Sequence, residues 1–145
     1  MAYEAFIKIA GVTTDTADGY IQIFSWSFGA SNPTTVGSSG GGASAGKVSF
    51  SDFQIEKMVD SASTDIFRLA LTGNPISTVT LQVRKAGGGS SGSGSVYFTV
   101  VFSNVLIAMY KLVETGSGNT PQEGLPKETI DFNFGSIEFE YHPQN

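Results

Sequence analysis

Gly41-Gly42-Ala43-Ser44-Ala45-Gly46-Lys47 fills the first seven positions of a phosphate-binding P-loop. That motif cradles phosphate on backbone N–H groups and holds Mg²⁺ with a Ser or Thr at the eighth position, at the start of a helix. Here the eighth residue is Val48, and the chain beyond it alternates as a strand. Gly37-Ser38-Ser39-Gly40-Gly41 and Gly88-Gly89-Ser90-Ser91-Gly92 both spell Gly-x-Ser-x-Gly. A nucleophile elbow also needs a strained strand-to-helix turn and a histidine base. His142 is the one histidine, beside Pro143 and far in sequence from both runs. Asp15, Asp18 and Gly19 lack the spacing and closing Glu of a Ca²⁺ loop. Glu138 and Glu140 share one face of a terminal strand. Paired carboxylates can do acid–base work, but alternating Glu also keeps an edge strand soluble. With no cysteine there is neither a disulfide nor a thiolate metal site. The residues therefore predict no catalytic centre, no cofactor and no metal.

The elements that would have to position such chemistry are almost all strands. Tyr3–Val12 alternates, with Ala5, Ile7 and Ile9 on one face and Phe6 and Lys8 on the other. Tyr20–Phe28 reads as a strand with bulk on both faces: Ile21 and Ile23, then Phe24, Trp26 and Phe28. Val48–Lys57 alternates with one slip at Asp52-Phe53, the mark of a bulge. Residues 61–72 predict the one helix. Ser61 to Asp65 supplies caps and a first-turn acid, Ile66, Leu69 and Leu71 are read as the inward face, and Gly73 and Pro75 end it. Val79, Leu81 and Val83 alternate against Thr80, Gln82 and Arg84. Val96–Tyr110 is a long strand with a bend near Ser103-Asn104, and Lys111–Thr115 continues it or pairs back. Ile130–Phe134 and Ile137–Tyr141 are read as two last strands. The sum is one domain over residues 1–145, mainly β: an antiparallel two-sheet barrel with one short helix.

Two low-complexity runs interrupt this pattern, Gly37–Gly46 (Gly, Ser and Ala) and Gly87–Ser95 (Gly and Ser). The first belongs to a long extended loop of residues 29–46, against roughly 4–6 residues for an ordinary connection. With no second domain to join, it reads as an arm that orders against a partner. Charged residues make up 14% of the chain, below the roughly 25% of an ordinary soluble domain. The net charge is −5 and the eight Lys and Arg residues are scattered, which argues against nucleic acid as a partner. No stretch is apolar enough to insert in a membrane, and the start Met1-Ala2-Tyr3-Glu4 predicts no cleavable export signal.

Taken in order, the segments form a recognisable series. Phe6-Ile7-Lys8-Ile9 is followed by Phe24-Ser25-Trp26-Ser27-Phe28-Gly29 and by a Gly-rich loop ending in Gly46-Lys47-Val48. Then come Phe53-Gln54-Ile55-Glu56-Lys57, the short helix, Thr80-Leu81-Gln82-Val83-Arg84-Lys85-Ala86-Gly87, Ile130-Asp131-Phe132-Asn133-Phe134 and Phe139-Glu140-Tyr141-His142-Pro143-Gln144. Over nearly its whole length the chain resembles the haemolysin-coregulated protein family, Hcp, of bacterial type VI secretion systems. The resemblance implies a small β-barrel that forms hexameric rings. The rings would stack into a phage-tail-like tube, expelled by a contracting sheath and carrying effectors. Self, sheath and spike proteins and effectors are then the partners, and the path runs from the bacterial cytoplasm to the extracellular space or a target cell. Contact between subunits or rings falls to the loop residues Asn32, Pro33, Val36, Gly40 and Lys47. The lumen falls to small polar residues, Ser25 and Ser27 first, then Thr80 and Gln82. Members often have a shorter turn in place of Gly87–Ser95 and a further tail after the Tyr141-His142-Pro143-Gln144 segment, so contacts made by such a tail are not expected here. The alternative reading is a barrel that binds carbohydrate or peptide on the exposed aromatics Trp26, Tyr97 and Tyr110.

Overall fold

The computed structural model of the chain describes residues 3–32, 34–35, 44–45, 48–85, 95–114 and 125–143. Eleven strands and one helix lie among them: β1 (Tyr3–Ile9), β2 (Ile21–Ile23), β3 (Ser25–Ser27), β4 (Ala30–Ser31), β5 (Thr34–Thr35), β6 (Ser44–Ala45), β7 (Ser49–Phe50), β8 (Phe53–Met58), α1 (Ser63–Thr72), β9 (Ile76–Lys85), β10 (Val96–Glu114) and β11 (Pro126–Tyr141). Seven of the strands form one antiparallel sheet in the order β2-β1-β9-β10-β11-β8-β3.

Because β2 and β3 are consecutive in the chain, the two edges of this sheet are one stretch of backbone. The sheet therefore closes on itself as a barrel. The crossing point is Phe24, whose N–H donates to the Glu56 carbonyl at 3.0 Å. Tyr20–Phe28 is thus two short strands, not one. The apolar residues on both faces are a change of phase: Ile21 and Ile23 are buried beside β1, then Trp26 and Phe28 pack on the core beside β8, and Phe24 between them is exposed.

The slip at Asp52-Phe53 has the same meaning. β8 takes its place in the barrel, whereas β7 leaves it to pair with β4 (Ala30↔Phe50, Ser31↔Ser49). Further out, Thr34↔Ala45 and Thr35↔Ser44 pair β5 with β6. The described parts of the excursion between Gly29 and Ser51 therefore pair with one another as a two-stranded arm. Its root is pinned by the Ser51 N–H, which donates to the Gly29 carbonyl at 2.9 Å.

The last strand is continuous from Pro126 to Tyr141, not divided at Gly135-Ser136, and β10 continues to Glu114. The two pair along their lengths, with the expected bend at Asn104, whose φ is 55°. The helix begins at Ser63, and the Asp60 carboxylate accepts the Ala62 N–H at 2.9 Å. Gly73 ends it in the left-handed region, φ 69°, and its N–H donates to the Leu69 carbonyl. Ile66 is buried and Leu69 packs on the core, but Leu71, expected to face inward, is 71% exposed. At about 100° per residue it stands some 140° from Ile66.

The barrel interior is apolar and aromatic. Phe53 stacks on Phe102 at 4.3 Å between ring centres and on Phe132 at 5.8 Å, and all three are fully buried with Ile7, Ile55, Ile66, Val79, Leu81 and Ile130. Each such side chain stabilises the fold by about 1.5–3 kcal/mol.

Candidate functional site

Where β3, β8 and the first half of β11 lie side by side, their outward face is polar. Ser25, opposite Glu56 in the register, donates its hydroxyl to the Glu56 carboxylate at 2.8 Å. That bond, against the opposing effect of desolvation, keeps the Glu56 carboxyl below its ordinary range, and Lys127 at 3.2 Å adds to it. Ser27, exposed and opposite Gln54, belongs to the same face, where the Gln54 amide donates to Asp131 at 2.8 Å. Thr80 and Gln82 lie elsewhere, on β9, opposite Lys8 and Phe6 of β1 and Val101 and Thr99 of β10. The structure brings Ser25 and Ser27 together and places Thr80 and Gln82 on a strand that borders neither β3 nor β8.

The β9 face is organised by Arg84. Its guanidinium lies 4.2 Å from the Phe6 ring centre and 5.0 Å from that of Tyr20, Nε donates to Gln82 at 3.0 Å, and Asp18 is 3.5 Å away. The Asp18 carboxyl is held below its ordinary range, mainly by the Tyr20 N–H it accepts at 3.0 Å. Asp18 is thus engaged in holding the turn. Asp15 is tied back to the start of the helix, its N–H donating to the Ser61 hydroxyl at 3.1 Å.

A third surface arises because β8 pairs only with Lys127–Phe132 of β11. Past Phe132, among the described residues, β11 has β10 on one side and no strand on the other. Phe139 and Tyr141 in this stretch are 60% and 55% exposed. Phe50, at the root of the arm, meets Phe134 at 5.6 Å. Of the predicted contact residues, Asn32 is exposed at that root, and Pro33, Val36, Gly40 and Lys47 lie outside the described residues. So do both Gly-x-Ser-x-Gly runs and most of the P-loop-like run, of which Ser44–Ala45 is strand β6.

The acids and histidine weighed for catalysis stand at the surface. Glu138 and Glu140 are exposed, and His142 Nε2 is 3.0 Å from the Glu140 carboxylate. Among the described residues no cluster of three or more His, Asp or Glu side chains could hold a metal, and no helix is long and apolar enough to cross a membrane. The aromatics divide. Trp26 is half-buried, packing edge-on to Phe98 at 5.7 Å, Tyr97 meets Tyr3 at 5.0 Å, and the Tyr110 hydroxyl donates to Glu128.

Glu128 belongs to a cluster that the sequence reading missed. It is fully buried and accepts from Lys57 Nζ at 2.5 Å and from the Ser63 hydroxyl at 3.0 Å, and Lys57, also fully buried, reaches Asp60 at 2.9 Å. Desolvation, and then the Glu128 carboxylate, push the Tyr110 phenol well above its ordinary range, so it remains a donor. The signal was present. Lys57 continues the inward series Phe53, Ile55, and Glu128 precedes the inward series Ile130, Phe132.

The family model described as "Type VI secretion system effector, Hcp" matches residues 3–141. The chain belongs to the Hcp family. Hcp proteins are secreted structural components of type VI secretion, not enzymes. A solved type six secretion system protein is 27% identical, with a TM-score of 0.82, covering 99% of this chain and 86% of its own. A type VI secretion system effector from Yersinia pestis is also 27% identical, with a TM-score of 0.70, over 97% and 91%. Hcp1 from Salmonella typhimurium, at 22% identity, shares the fold, with a TM-score of 0.69 over 99% and 88%. No curated protein matches the sequence.

Proposed function

We propose that this Hcp protein is a tube subunit: six copies close into a ring, rings stack into a tube, and sheath contraction expels the tube with its effectors. The path runs from the bacterial cytoplasm to the outside or into a target cell, and the chain's partners are itself, sheath and spike proteins and cargo. The observation that carries this reading is that the Hcp match spans residues 3–141, the whole barrel with its arm and helix. The stretch of β11 past Phe132 supports it: among the described residues no strand lies on its second side, and Phe139 and Tyr141 are more than half exposed there, the kind of edge that can take a neighbouring chain. A head-to-tail contact that closes makes a ring.

In this reading the arm reaches the next subunit or ring through Asn32, Pro33, Val36, Gly40 and Lys47. Ser25 and Ser27 face the lumen, and Thr80 and Gln82 are the competing lumen candidates on the other side of the barrel. The Ser25–Glu56 and Gln54–Asp131 bonds support the first pair, because side chains bonded to one another leave a smooth polar wall that holds cargo weakly. Electron microscopy of the purified protein, with native mass spectrometry, tests the reading. Six-fold rings and stacks of them are expected. A monomer at every concentration up to the high micromolar range would sink it.

A further inference from the structure

We infer that the seam of the barrel is a binding cleft for a cationic side chain, the guanidinium or ammonium of an Arg or Lys in a peptide segment. This goes beyond the tube reading and does not rest on ring formation. The crossing of the chain from β2 to β3 leaves a cleft of about 580 Å³ between that crossing and the start of β1. Such a volume is within the range of small-ligand sites, roughly 300–1,000 Å³. Tyr3, Phe24, Trp26 and Tyr97 line it, and Tyr3 and Phe24 are 48% and 53% exposed. Among the described residues, Glu4 is its one charged lining residue, and no cation lines it. Arg84, opposite Glu4 in the register, is turned to Asp18, Gln82 and Phe6.

The chemistry selects the ligand. Aromatic faces are negative and attract a cation by about 0.5–2 kcal/mol each, more as water is excluded. The Glu4 carboxylate accepts the Gln22 amide at 2.8 Å and has lone pairs left for a charged donor. An anion would meet this carboxylate with nothing to offset it. A neutral sugar would leave the Glu4 charge unpaired in the cleft, and the Ser25 hydroxyl already donates to Glu56.

Trp26 is the chain's one tryptophan, so its fluorescence reads the cleft directly. The probes are the blocked tripeptides Ac-Gly-Arg-Gly-NH2 and Ac-Gly-Gln-Gly-NH2, with methyl glucoside as a neutral sugar. The Arg peptide is expected to give a saturable change with a Kd in the millimolar range, on the order of −4 kcal/mol. Binding weakens about tenfold in Glu4→Gln, an isosteric change, and as salt rises. Tyr97→Leu, which leaves the charge in place, also weakens it. An equal response to the Gln peptide or the glucoside, no saturable response to the Arg peptide, or unchanged affinity in both folded variants would each overturn the assignment.

Discussion

Among single residues, Glu128 has the most consequence for the barrel. Lys57 comes from β8, Tyr110 from β10, Glu128 from β11 and Ser63 from the first turn of α1, so one carboxylate ties three strands to the helix. Removing two charges from water is costly, and their attraction only roughly offsets it, so the pair as a whole contributes little net stability. Breaking it is another matter, because Lys57 then stays buried with the partly exposed Asp60 carboxylate as its remaining partner, and the Tyr110 and Ser63 hydroxyls lose a charged acceptor. Glu128→Gln is expected to destabilise the fold by about 3–5 kcal/mol in chemical denaturation. The double variant Lys57→Met/Glu128→Leu should be less destabilised than Glu128→Gln alone. If the double variant shows the summed loss of the two single changes, the two side chains are not coupled and this account of the cluster is wrong. Alternation extended from Ile55 to Lys57 and from Ile130 back to Glu128 would have put both residues on the inner face; what it could not supply was that each would find the other there.

At the scale of the element, β10 and β11 are far longer than a usual strand of about 5–6 residues, 19 and 16 residues respectively. Strands of that length serve both sides of the barrel, so they must bend together. β10 borders β9 only up to Val105, and β11 borders β8 only up to Phe132. The bend lies between, where Asn104 takes a positive φ and Gly135 faces it. A Cβ on Gly135 would meet the Asn104 Cβ at 3.2 Å. Gly135→Val is therefore expected to cost about 1–3 kcal/mol in thermal or chemical unfolding. Asn104→Gly, which removes the opposing Cβ, should recover part of that loss; an unchanged penalty in this background would place the strain elsewhere. The bend at Asn104 was legible because Ser103-Asn104 breaks the apolar alternation. Gly135-Ser136 looked like the same break, yet a glycine in a strand also marks close approach of another chain segment, and that depends on a partner strand far earlier in the sequence. The barrel itself was read from the run of strands with one helix, but the place where it closes was hidden for the same reason. The phase changes at Phe24 and at Asp52-Phe53 were visible as irregularities, but only the pairing shows that each moves the chain from one sheet neighbour to another. Leu71 fell outside the core because a ten-residue helix lying on one side of a barrel buries a narrow stripe.

For the whole molecule, the division is between a barrel of seven strands and an arm whose described strands pair with one another outside that sheet. β3 and β8, which carry the two ends of the excursion, pair directly with each other, and the Ser51–Gly29 bond closes the root below β4 and β7. Deleting residues 37–46 removes β6 and leaves this root in place. Shortening the connection lowers its closure entropy, by less than about 1 kcal/mol for a change of this size. The truncated protein is therefore expected to melt within a few degrees of the full chain and to keep its near-ultraviolet circular dichroism. Assembly should separate into two steps. On the tube proposal, surfaces of the barrel itself, including the part of β11 with no second strand neighbour among the described residues, would remain, so rings should persist; contacts from ring to ring would go with the arm, so tubes should shorten or vanish in micrographs. A sparsely charged chain, with 14% charged residues, adds little repulsion between many identical copies, so loss of stacking would have to come from loss of the arm. Long tubes from the truncated protein would show that stacking is carried by the barrel, and loss of rings as well would show that the arm joins neighbours within a ring.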